Sequence, residues 1–233
     1  MKNFLATNMQ KSFFACLFVV AFFVAQSPAQ ALSEILNRIE NQRKILQTLQ
    51  ASIEMGKLNP QTGDWEYNKG KVILVAKSKQ IKDGLFRIDW TDPKPETLSI
   101  FNGKYYAYDP GIKTVYTGAA TQKKAADKGG SIFSLVSMSK AQMNAAYSAK
   151  LAGLETLNGG TSAFHITLTP KMASDNKSID IWADKDGVIH QAKTTAKNGD
   201  ENSIKLTGQV RNKTLDISLF KVKLPAGTQE IKQ

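Results

Sequence analysis

His165 and His190 are the two side chains in this sequence best suited to proton transfer near neutral pH. In "SAFHITLTP" (162–170), His165 alternates out of phase with Phe164, Ile166 and Leu168 and shares a face with Thr167 and Thr169. His190 follows a hairpin turn. Both read as surface or rim residues rather than catalysts. The sequence has no G-x-S-x-G elbow, and its one cysteine, Cys16, lies in an apolar run, so acyl transfer lacks its nucleophile. Asp184-Lys185-Asp186-Gly187 opens like a calcium loop but lacks the later oxygen ligands and the closing glutamate, and reads as a plain turn. Gly129-Gly130-Ser131 has neither the preceding strand nor the following Lys-Ser/Thr pair of a phosphate cradle, and reads as a hinge. No catalytic residue, metal or cofactor is expected.

The elements around these residues begin with a targeting signal. Lys2 and Lys11 precede an apolar run from Phe13 to Ala25, and Ala29-Gln30-Ala31 is a small-x-small cleavage site. Residues 1–31 therefore read as a signal peptide, cut before Leu32, and 32–233 as one domain; a retained anchor is the alternative. Cleavage removes two lysines and no acid, so the formal charge falls from +11 to +9. The remaining 202 residues contain no cysteine, so the chain folds outside the cytoplasm without disulfides. The lysines are spread along the chain, which suits a solvated basic surface better than a nucleic-acid groove.

Leu32 to Ile53 reads as one amphipathic helix with Ser33 as N-cap and an apolar stripe of Leu32, Ile35, Leu36, Ile39, Leu46, Leu49 and Ile53. The period then changes to two. Strands are expected at 71–78, 84–90, 97–101, 104–109 and 113–117, and again at 162–170, 177–184, 188–196, 202–210 and 215–222. Asn102-Gly103 is a two-residue hairpin signal, and Asp186-Gly187 marks another turn. Residues 118–160, rich in Ala, Ser, Lys and Gly, read as one or two short helices. The fold class is mainly β: an antiparallel meander of about ten strands that curls, with the first helix and the insertion covering its concave face.

Phe86, Ile88 and Trp90 share one face of "GLFRIDW" (84–90) with no lysine or arginine beside them, which weakens base stacking as a use for that face. Phe86, Ile88, Trp90, Ile100, Tyr106, Phe164, Ile166, Leu168 and Ile181 are the candidate lipid-facing residues of the concave side, among other inward positions. Filled core or open cavity remain two readings of that face.

The order of motifs resembles the LolA family of periplasmic carriers of outer-membrane lipoproteins. The matching pieces are the signal, the first helix, "GLFRIDW", "LSIFNGKYYAYDP", the insertion, "FHITLTPK", "DGVIHQA", "SIKLTGQVRN" and "KVKLPAG". The resemblance implies an unclosed half-barrel, with helices as a lid over a hydrophobic cavity. It implies a non-enzymatic, monomeric carrier with no cofactor and no nucleic-acid partner. Such a carrier takes acylated lipoproteins from an inner-membrane releasing transporter to an outer-membrane receptor. Phe86 matches the family position tied to lipid handling. Lys82 stands where the family has an arginine that holds the lid through hydrogen bonds, and offers a point charge instead of a planar fork. The same fold also serves envelope-stress sensors and other lipid-binding regulatory modules. Those usually carry a second domain, whereas this sequence ends soon after "LPAG". A lipid-handling enzyme would lack a catalytic constellation.

Overall fold

The computed structural model describes residues 28–82, 84–120 and 138–233. Most of the expected signal peptide, Asp83 and the hinge at Gly129-Gly130 lie outside the described residues. In chain order the elements are α1 (Pro28–Ile45), β1 (Thr48–Leu58), β2 (Trp65–Val75), β3 (Leu85–Asp92), β4 (Glu96–Phe101), β5 (Lys104–Asp109) and β6 (Thr114–Ala119). There follow α2 (Lys140–Ala146), β7 (Tyr147–Thr156), β8 (Ser162–Pro170), β9 (Asn176–Ala183), β10 (Ile189–Ala196) and β11 (Glu201–Arg211). A 3-10 turn at Ile217–Phe220 and β12 (Gln229–Lys232) complete the order.

The strands form one sheet in the order β12-β6-β5-β4-β3-β2-β1-β11-β10-β9-β8-β7, with β12 and β7 as its two edges, so it is not closed. All neighbours are antiparallel except β12, which runs parallel to β6. Asn102 and Gly103 both have positive φ, as the tight β4–β5 hairpin requires. Register shifts at Gln50/Ser52, Lys69/Gly70 and Leu151/Gly153 bend the strands and help the sheet curl.

Four sequence expectations are corrected. The first helix ends at Ile45, and Leu49 and Ile53 belong to β1. Leu49, Ala51, Ile53 and Met55 alternate along β1, and its pairing with both β2 and β11 outweighs the helical spacing of the stripe. Ser33 lies inside α1 and is not its cap. Tyr147 to Thr156, expected within the insertion, is strand β7, whose Tyr147, Ala149 and Leu151 pack against the core beneath α1. Residues 215–222 are no strand: Asp216 accepts the Ser218 amide at 2.8 Å and turns the backbone, leaving only Phe220 of the turn buried.

Candidate functional site

Cross-strand register builds the inner face row by row. Leu49, Leu74, Phe86, Ile100 and Tyr105 follow one another across β1 to β5. Ala51, Val72, Ile88, Leu98 and Ala107 form the next row. Ile166, Ile181, Ala192 and Ile204 continue the face across β8 to β11. The face carries two apolar clusters. The first includes Phe86, Ile88 and Trp90, with Leu74, Ile100 and Tyr116 half-buried at its border. The second joins Ile166, Leu168 and Ile181 to Ile35, Leu36 and Ile39 of α1 and to Met143 of α2, with Phe164 against it.

The candidate lipid-facing residues thus fall into two groups. Phe86, Ile88, Trp90 and Ile100 belong to the first cluster; Phe164, Ile166, Leu168 and Ile181 belong to the part beneath the helices. Tyr106 is a correction. It pairs with Ser99, which pairs with Arg87, so it lies on the outer face; Tyr105 and Ala107 point inward instead. A one-residue change of phase moves every side chain of a strand to the other face, and four consecutive residues of "KYYAYD" could each have been the buried ones. Lys82 is exposed in the β2–β3 connection.

A backbone latch holds α1 over the inner face. Asn212 Nδ2 donates to the Ile45 carbonyl at 3.1 Å, and Asn212 Oδ1 accepts the Gln47 amide at 2.8 Å. Arg211 Nη2 donates to the Gln42 carbonyl at 3.1 Å. Together these satisfy carbonyls that the last helical turn leaves without partners. Farther along, Arg38 Nη1 donates to the Lys185 carbonyl at 2.7 Å. Sequence patterning missed Arg211 and Asn212, whose roles depend on α1 arriving from far along the chain.

Glu40 ties the two helices together. Its carboxylate accepts from Arg43 Nε and Nη2 at 2.9 and 2.8 Å, and from the Lys140 amide at the start of α2 at 3.0 Å. The Arg43 hydrogen bond leads in pulling its pKa down to about 2; the Lys140 amide and the charges of Arg43 and Lys44 add to it, against the opposing effect of burial. A depressed carboxylate pKa stabilises the fold above the unfolded value near 4.5, and that contribution is lost as pH falls through about 2. Glu40→Gln is expected to lower the melting temperature at pH 7, with the gap to the parent protein narrowing between pH 4.5 and 2 in a thermal-denaturation series.

Apart from Leu85, Val115 and Phe220, which are buried there, the outer face is largely polar and ion-paired. Glu54 is shared by Lys69 and Lys205, Glu201 pairs with Lys193, and Asp89 pairs with Arg87. His165 sits here, between Glu155 Oε1 at 2.6 Å and Asp180 Oδ1 at 2.9 Å, stacked on Trp182 with ring centroids 4.4 Å apart. Thr167 Oγ1 donates to the same Asp180 oxygen, and Trp182 Nε1 donates to Glu155 Oε2. The indole hydrogen bond, followed by the contact with His165, holds the Glu155 carboxyl below its ordinary range. Among the described residues no hydroxyl or thiol is hydrogen-bonded to this histidine, and the set clips β7, β8 and β9 together. His165→Ala brings two carboxylates face to face across an emptied site. It is expected to cost about 1–2 kcal/mol in chemical denaturation while leaving binding at the inner face unchanged. His190 Nε2 is engaged by Asp184 Oδ2 at 2.9 Å. Among the described residues no cluster of metal-ligating side chains occurs.

An open, almost wholly antiparallel sheet with a helix fixed across its apolar inner face defines the half-barrel class of folds. Residues 46–223 match the family model described as "Outer membrane lipoprotein carrier protein LolA", and the chain belongs to this family. It is 27% identical over 225 residues to the "Outer-membrane lipoprotein carrier protein" of Azotobacter vinelandii, covering 94% of this chain and 99% of that one. In fold it is similar to an uncharacterized conserved protein from Thermus thermophilus, with TM-score 0.55, 15% identity, and 88% and 100% of the two chains covered. It is also similar in fold to the Pseudomonas aeruginosa MucA/MucB complex, with TM-score 0.51, 13% identity, and 83% and 61% covered.

Proposed function

We propose that the protein is a periplasmic carrier that holds the acyl chains of lipoproteins against its inner face. It receives them from an inner-membrane releasing transporter and passes them, as a monomer, to an outer-membrane receptor. The observation that carries this reading is the inner face itself: rows of aliphatic and aromatic side chains run unbroken across β1–β5 and β8–β11 in a member of a lipoprotein-carrier family. The task is one of solubility. At about 0.8 kcal/mol per CH₂, a chain of about fifteen methylenes costs about 12 kcal/mol to bring into water, and a triacylated anchor about three times that. An apolar face recovers most of this cost without bond chemistry, in keeping with a binding role rather than an enzymatic one.

The experiment is to mix the protein with a purified triacylated lipoprotein and remove detergent. Co-elution of the two as a soluble complex in size-exclusion chromatography supports the reading, and aggregation of the lipoprotein at the same rate with and without the protein defeats it. Retrieval of a membrane-bound regulatory protein from envelope extracts, with no lipoproteins, would instead favour a sensor on the same fold.

A further inference from the structure

Arg211 offers this acyl-binding face something that its apolar rows do not. It pairs with Leu49 across β1 and β11, which places it on the inner face. It thereby stands at the head of the row that runs on through Leu74, Phe86 and Ile100. Among the described residues, its guanidinium makes one hydrogen bond, to the Gln42 carbonyl at 3.1 Å, and no ion pair. Asp184, the acid whose charge acts on it, is occupied by His190 and by the Asp186 and Val188 amides. Burial lowers the pKa of the guanidinium, the mark of a cation short of counter-charge. The bond to Gln42 fixes the plane of the fork and leaves Nε and Nη1 as donors for oxygen.

We propose that Arg211 receives the oxygen-bearing head of a bound acyl chain, a linking carbonyl or a carboxylate, while the hydrocarbon runs along Leu49, Leu74, Phe86 and Ile100. From β11 to β4 this row spans four interstrand spacings, about 19 Å, comparable with a long extended acyl chain. A neutral glutamine in place of Arg211 could still bond the Gln42 carbonyl but loses the charged fork. The inference rests on the acyl-binding reading, and the probes below separate the two.

Binding of a synthetic triacylated cysteine peptide, of palmitate and of an uncharged naphthylamine dye without a carbonyl is measured on the purified protein, on Arg211→Gln and on Arg211→Lys. The expected result is that Arg211→Gln weakens peptide and palmitate about tenfold, the order of one charged hydrogen bond, and leaves the dye unchanged. Arg211→Lys recovers part of the loss. Loss for the peptide alone supports the contact and identifies a protein-linked anchor; loss for palmitate alone supports it and identifies a free fatty acid. Equal loss for all three probes overturns the proposal, because Arg211 then only secures α1. Unchanged affinity for both oxygen-bearing probes also overturns it. If the parent protein binds palmitate but never the peptide, the carrier reading fails while the Arg211 contact is still decided by palmitate.

Discussion

Phe86→Glu is expected to abolish retention of a triacylated lipoprotein in detergent-free buffer. Phe86 is 7% exposed and stands between the apolar side chains of Leu74 and Ile100. A carboxylate there either keeps its charge, and excludes hydrocarbon, or takes up a proton at a cost of several kcal/mol. The half-burial of Leu74 and Ile100 gives the flexible, polar side chain a border to turn towards, so the domain should still fold. Two controls make the result specific. Phe86→Leu should retain most binding, since volume and polarity change little. Tyr106→Ser, on the outer face, should retain all of it. Co-elution of lipoprotein with each variant, alongside thermal denaturation, is the measurement. Full loading of Phe86→Glu would remove this row from the binding face.

Gly187→Ala is expected to carry the largest stability cost of any single-methyl change in the α1 region, about 2–4 kcal/mol from strain and overpacking together. Gly187 has φ 86°, which disfavours any side chain. A methyl group would also meet the Arg38 carbonyl carbon at 2.4 Å and the Ile39 nitrogen at 2.6 Å, both backbone atoms of α1. The β9–β10 turn can lie against the helix only because nothing projects from it. Relief requires α1 to lift, which strains the Arg38 contact with Lys185 and the packing of Ile35, Leu36 and Ile39. Equilibrium unfolding reads the cost, and hydrogen exchange should show faster opening of α1. An unchanged midpoint would mean that the helix is not seated on this turn.

Much of the sheet was legible because polar turns punctuate period-two runs. The face formed by Phe86, Ile88 and Trp90 follows from alternation alone, and Asn102-Gly103 sets the β4–β5 hairpin. Alternation failed where the local sequence satisfies two periods at once. Leu46, Leu49 and Ile53 suit a helix, while Leu49, Ala51, Ile53 and Met55 suit a strand; only β2 and β11, on either side, decide between them. In β5 the turn, rather than composition, sets which tyrosine points inward. Half of strand β7 is Ala, Leu and Lys, residues at home in helices, and it takes its form from pairing with β8. The Arg211 contact spans 169 positions, beyond the reach of any sequence window. The family resemblance supplied the half-barrel, and long-range geometry supplied the latch.

The seam between β1 and β11 has a consequence for how the protein comes into being. Ile53 meets Leu206 there, so the two sheet halves join only by closing a loop of about 150 residues. Chain statistics set the entropy of such closure at about 4 kcal/mol plus a constant. Neither half holds the complete set of inner-face rows. A chain that emerges from its N-terminus therefore stays without a finished inner face until β11 has followed, and its apolar rows lie uncovered for most of that time.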